Sequence, residues 1–269
     1  MKKLTLLEIK AVELEILAWF DNLCKNNNLN YCLSGGTLLG AVRHQGFIPW
    51  DDDIDLMMPR QEYDKVLEIS NTIAEGSRYQ IISFKDKTSP FPYLKIVDTH
   101  SLLENKDRIQ DAELMLFIDV FPVDGLPVKT NEVERWYRIA RILQHFLSIS
   151  IYRAWHDNSI PKRIIKVLMS RPVKLVSPYK WAEMLDSHCR KYPFENSENV
   201  GVVCWGYGKK ECMPGKTWKQ YEKVEFEGSS YNAPGCWDYY LRSLYGNYME
   251  LPPVEQRKTH NLTAYVKDE

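Results

Sequence analysis

No stretch of this 269-residue chain is both apolar and long enough to cross a bilayer, so a helical integral membrane protein is not expected. Cysteine is sparse and unpatterned. Cys24, Cys32, Cys189, Cys204, Cys212 and Cys236 form no CxxC pair and have no histidine at zinc-site spacing, which argues against a structural zinc fold. A chain this rich in core residues needs no disulfide scaffold, and reduced, partly buried thiols are expected. With no internal repeat and no low-complexity tract, solenoids and disordered linkers are also set aside. The net charge of −1, without a recognised nucleic-acid motif, argues against a nucleic-acid partner.

What is present is a core. At 44% hydrophobic and 26% charged residues, the chain can bury one large domain, or one domain plus a subdomain. Its opening interleaves Glu8, Lys10, Glu13 and Glu15 with apolar positions, so no secretory signal is expected there. Ile9, Val12, Ile16, Trp19, Phe20 and Leu23 mark one face of an amphipathic helix instead.

Residues 33–58, LSGGTLLGAVRHQGFIPWDDDIDLMM, hold the strongest chemical signal. Asp53, Ile54, Asp55 and Leu56 alternate with period two, which on a strand turns both carboxylates to one face and the aliphatics to the core. Two such anions at about 6 to 7 Å repel by about 2 to 3 kcal/mol at an effective dielectric near 20. A divalent cation would relieve them. Upstream, residues 31–33 suggest a short strand, Ser34, Gly35 and Gly36 a tight turn, and residues 37–43 a helix. Such a turn lets backbone N–H groups approach a phosphate, with Arg43 as a further charge. Taken alone, the glycines are weak evidence and are better explained by a plain strand-to-helix connection.

A strand ending in Ser-Gly-Gly, a short helix and an Asp-x-Asp strand resemble the nucleotidyltransferase superfamily, with its polymerase-beta-like fold. The wording GGTLLGAVRHQGFIPWDDDIDL is closer to the LicD family of bacterial phosphocholine transferases, which are related to fukutin-type enzymes. FIDVFPVD at residues 117–124 and YGNYMELPPVEQRKTH at residues 245–260 match that pattern too. The resemblance implies an α/β (α+β) fold, a nucleotidyltransferase-like mixed sheet flanked by helices. It would have a catalytic core at residues 1–130, a basic helical segment at 131–195 and a small C-terminal subdomain at 196–269. It also implies that Asp53, Asp55 and Asp119 are catalytic and hold one or two Mg²⁺ ions, with Mn²⁺ able to substitute. Ser34, Gly35, Gly36, Thr37, Arg43 and Lys95 become the nucleotide and phosphate contacts, and Arg257 and His260 acceptor or phosphate contacts.

Asp119 has independent support. It lies inside LMLFIDVF, a run so apolar that an unpartnered carboxylate would be costly, and a salt-bridged or protonated aspartate is the alternative. Asp124, between Pro122 and Gly125, is expected in a turn and is not counted as catalytic.

The family likeness implies CDP-choline as donor and a lipid-linked glycan or teichoic-acid precursor as acceptor, with CMP released in the cytoplasm. Residues 135–180 carry ten basic residues and one acidic, on apolar positions at helical spacing. Such a segment is expected either to touch the inner membrane leaflet or the acceptor, or to pack with a solvated basic face. Aromatic residues crowd the late region, Trp205 and Tyr207 among them, where a choline pocket could form. Two rival functions are nucleotidyl transfer onto a small molecule or sugar, and a calcium module using Asp51, Asp53, Asp55 and Glu62. The calcium loop is disfavoured by Leu56 at its glycine position and by Pro59.

Overall fold

The computed structural model describes residues 1–104, 114–152, 170–257 and 262–267. Its first long helix, α1 (Leu6–Asn26), starts on a capping box in which Thr5 and Glu8 satisfy each other's backbone N–H groups. The apolar stripe foreseen in the sequence buries Ile9, Ile16 and Phe20. It packs across the two longest strands, β5 (Leu94–Glu104) and β6 (Leu114–Leu126).

Strand β6 organises the molecule. It pairs antiparallel with β5, parallel with β3 (Asp55–Pro59), and antiparallel with β7 (Asn199–Val202). Outward from β3 lies β2 (Cys32–Leu33), and outward from β5 lie β4 (Tyr79–Ile82) and β11 (Thr263–Val266). The short β1 (Lys2–Lys3) extends β11, and β8 (Met213–Pro214) extends β7. The result is the expected mixed sheet flanked by helices. A separate hairpin, β9 (Tyr221–Phe226) and β10 (Ser229–Pro234), turns on Glu227 and Gly228, both at positive φ as a two-residue hairpin turn demands.

Two expectations about these strands need correction. The strand meant to hold both Asp53 and Asp55 starts only at Asp55, although burial still alternates, with Ile54 and Leu56 inside. The turn expected around Asp124 does not form, because β6 continues through Pro122 to Leu126. Asp124 is buried there in a bidentate pair with Arg60, at 2.6 and 2.7 Å, at the start of α3 (Arg60–Ser70). Arg60 also binds Asp186 on the Pro178–Cys189 helix, so one guanidinium ties β6 to two helices.

Helix α4 (Thr130–Ile151) contains the start of the basic segment. Val133, Tyr137, Ala140 and Leu147 are buried, and the helix packs against the Pro178–Cys189 helix. Arg153, Lys162, Arg163 and Lys166 lie outside the described residues. All six cysteines are free thiols. Among the described residues no helix is long and apolar enough to cross a membrane.

Candidate active site

Strand register brings the acidic residues together. In the parallel β3 and β6 pair, Asp55 is the register partner of Asp119, and in the antiparallel β5 and β6 pair, Asp119 is the register partner of Lys95. The Lys95 ammonium binds Asp119 Oδ1 at 2.5 Å and lies 3.3 Å from the centre of the Phe117 ring, with Phe91 and Tyr93 farther out. The lysine is buried, so this ion pair is shielded from water on most sides. Asp119 thus has the partner its apolar run calls for, in the form of the salt bridge that the sequence left open as the alternative.

Asp55 is fixed through its backbone. Its N–H donates to Thr37 Oγ1 at 2.8 Å, and its carbonyl accepts from Ser34 N–H at 2.9 Å. Thr37 thus orients the carboxylate strand as well as opening helix α2 (Gly35–His44). Desolvation first, then repulsion from Asp53, Asp119 and Asp51, pushes the Asp55 carboxyl well above the ordinary carboxylate range, against a smaller opposing pull from Lys95.

The diglycine serves close approach, but of carboxylates. Gly35 sits at φ +47°, and a Cβ there would stand 3.3 Å from Asp55 Oδ2. A Cβ on Gly36 would stand 2.7 Å from Asp51 Oδ2. The acidic side chains therefore crowd the start of α2, where N–H groups that have no partner within the helix give a positive potential. These glycines belong to the first turn of the helix rather than to a separate turn before it.

Two other expected contacts have partners within the chain. Arg43 donates to the carbonyls of Tyr248 and Glu250, so its guanidinium anchors the C-terminal segment to α2. Arg257 stacks 4.8 Å from the Trp50 ring centre, beside the acidic run, and donates to the Pro252 carbonyl. His260 lies outside the described residues.

A cavity of about 530 Å³ opens beside Asp55, and most of its wall had no signal in the sequence. One side is Arg141, Gln144, His145 and Ser148 from α4. The other is Trp205, Tyr207 and Glu211, with Tyr240 from the Trp237–Tyr245 helix. Ser34 joins this wall through a relay: its hydroxyl meets Tyr240 OH at 3.2 Å, and Tyr240 OH donates to Glu211 Oε2 at 3.0 Å. Glu211 Oε1 accepts the Tyr207 N–H at 3.0 Å. Burial pushes the Glu211 carboxyl up to about 7, against the two hydrogen bonds. Apart from Ser34, these residues lie more than 80 positions beyond Asp55, and only the folded sheet brings them to it.

Among the described residues, no three carboxylate, imidazole or thiol groups close into a complete metal cage. The donors do suit a hard cation. Asp55 and Asp119 are adjacent oxygen donors, and the carboxylates around Asp55 outweigh the pull of Lys95 on it, a donor set of the kind a hard cation takes while keeping waters and substrate phosphates in its remaining positions.

Comparison with known proteins identifies the family. The family model described as LicD/FKTN/FKRP, nucleotidyltransferase domain, matches residues 28–122, which contain the diglycine, Asp53, Asp55, Lys95 and Asp119. Two proteins described as uncharacterized, from Rickettsia typhi and Rickettsia prowazekii, are each 46% identical over 57 residues, or 21% of this chain. Those matches cover 18% and 21% of the relatives and support a shared segment only. The lipopolysaccharide cholinephosphotransferase LicD of Haemophilus influenzae is 32% identical over 282 aligned residues, covering 99% of this chain and 100% of the relative. A likeness of that depth along the whole length means that the chain belongs to the LicD family.

Proposed function

We propose that this protein is a phosphotransferase that moves phosphocholine from CDP-choline to a sugar hydroxyl of a cell-surface glycan precursor, such as a lipid-linked saccharide or teichoic-acid precursor. The observation that carries this reading is the side-by-side register of Asp55 and Asp119 next to a cavity, in a chain similar end to end to a cholinephosphotransferase.

Asp53, Asp55 and Asp119 would hold one or two Mg²⁺ ions, or Mn²⁺ in their place. A bound divalent ion supplies charge neutralisation for the donor diphosphate. The chain's own groups do the rest. Lys95 stands at Asp119 and offsets charge on phosphoryl oxygens, and Arg141 faces the same cavity from α4. Thr37 and Ser34 hold Asp55 in position through its two backbone groups. Asp119 orients the acceptor hydroxyl and takes its proton as the new oxygen–phosphorus bond forms. The bond from that phosphorus to the CMP oxygen breaks, and CMP leaves.

Free thiols at all six cysteines, five of them buried, support a reducing, cytoplasmic setting. The outer side of α4 exposes Ile139 and Ile142 beside Arg135 and Arg138, a surface suited to a lipid-linked acceptor or an anionic leaflet. Sedimentation with anionic liposomes at low salt tests that contact, and a protein left in the supernatant rejects it.

The proposed reaction is tested with CDP-choline, CDP-ethanolamine and CDP-ribitol offered side by side, with and without EDTA. CMP release with glycan labelling is expected from CDP-choline, abolished by the chelator. Faster transfer from CDP-ribitol would replace choline in the proposal.

A further inference from the structure

Within the cavity beside Asp55, one charged group stands out. Glu211 is buried, and among the described residues no cation pairs with it, since its hydrogen bonds come from the Tyr207 N–H and the Tyr240 hydroxyl. A carboxylate withdrawn from water is costly without an opposite charge. The surrounding loop is built to keep it there. Gly206 sits at φ +91°, and a Cβ on it would come within 2.4 Å of Glu211 Oε1, so the chain turns tightly around this one side chain. Tyr240 braces it from behind and ties it through Ser34 to the start of α2.

The rings on the same wall supply the second half of a recognition surface. Trp205 is held edge-on against Phe91 and against Tyr93, with ring centres 5.8 and 5.7 Å away. Tyr207 is half exposed at the cavity wall and meets Tyr245 edge-on at 5.7 Å. A quaternary ammonium has no N–H to donate, so it is recognised by aromatic faces and by a nearby negative charge. Neutral polyols need donors and acceptors instead.

The geometry points to Glu211, Trp205 and Tyr207 as the subsite for the quaternary ammonium group of the transferred alcohol, with Glu211 as the residue that selects a cationic over a neutral alcohol. This inference rests on the phosphocholine reading above and adds to it the side chains that make the choice. Asp55 lines the same cavity, so a headgroup seated on Glu211 leaves its phosphate directed toward the acidic centre. Arg141, on the facing helix, is placed for that phosphate.

Binding and turnover separate this inference from the reading beneath it. Titration calorimetry with phosphocholine and with glycerol 3-phosphate is carried out on the full chain and on Glu211→Gln and Tyr207→Leu. The second variant keeps the backbone N–H that holds Glu211, and its ring is half exposed, so folding is not at risk. Wild type should prefer phosphocholine, and each variant should lose about tenfold of that preference. Equal affinity for the two ligands in wild type, or an unchanged preference in both variants, overturns the subsite even if choline transfer is observed. A preference lost in the variants, in a protein that transfers no choline, keeps the subsite and rejects the transferase reading.

Discussion

Asp55 and Asp119 are direct neighbours in the parallel β3 and β6 ladder, and the Asp119 N–H donates to the carbonyl of Ile54, the residue before Asp55, at 2.9 Å. Two carboxylates some 64 positions apart in sequence are thereby locked side by side by backbone bonds that side-chain substitution leaves intact. Four consequences can be measured.

Replacing Asp55 by Asn should separate activity from stability. Transfer should fall by at least about 10³-fold, because charge is removed where charge develops in the reaction. The unfolding midpoint should stay level or rise, since the substitution relieves a carboxyl that burial and Asp53, Asp119 and Asp51 disfavour. A lowered midpoint together with retained transfer would mean that Asp55 is structural.

Lys95→Met should destabilise the protein by about 3 to 5 kcal/mol, because it leaves Asp119 in an apolar run without its ammonium. Adding Asp119→Asn should restore much of that loss, while transfer stays absent. Denaturant unfolding of the two single variants and the double variant gives the coupling, and additive losses would show that the pair is not energetically linked.

Glu211 makes stability depend on pH in a defined direction. Its carboxyl is raised from 4.5 to about 7 in the folded chain, so the folded state holds a proton that the unfolded state releases earlier. Stability should therefore fall as pH rises from about 4.5 to about 7, by about 3 kcal/mol in all. Glu211→Gln should lack this slope, and parallel pH profiles for the two proteins would contradict the assignment.

Arg60 predicts a loss without chemistry. Arg60→Met leaves Asp124 and one oxygen of Asp186 buried without a guanidinium, at a cost of about 3 to 5 kcal/mol. At a temperature where the variant is still folded, its KM for the donor should match wild type. A large KM change in the folded variant would place this network in substrate binding.

The sequence was most legible where local patterning decides the outcome. Periodicity marked Ile9, Ile16 and Phe20 as one face of a helix, and α1 buries all three. The run around Asp119 was readable because apolar length signals a buried strand. Asp124 was misplaced because Pro122 and Gly125 mimic a turn, whereas the strand tolerates the proline and Arg60 compensates the carboxylate. The sequence marked Asp55 and the aromatic Trp205 and Tyr207 separately, but no local pattern joined them into one cavity. Its wall gathers Ser34, Phe121, Arg141, Trp205, Glu211 and Tyr240, whose spacing in sequence carries no period. Arg43 carries bonds that no local pattern signals, since its guanidinium donates to two carbonyls of the distant C-terminal segment.

The most direct measurement uses CDP-choline labelled separately in the choline methyls and in the cytosine ring, incubated with the protein, Mg²⁺ and a lipopolysaccharide acceptor. The choline label should enter the glycan while the cytosine label is recovered entirely as CMP. Cytosine label in the glycan would instead establish nucleotidyl transfer and contradict the assignment of phosphocholine as the group that moves.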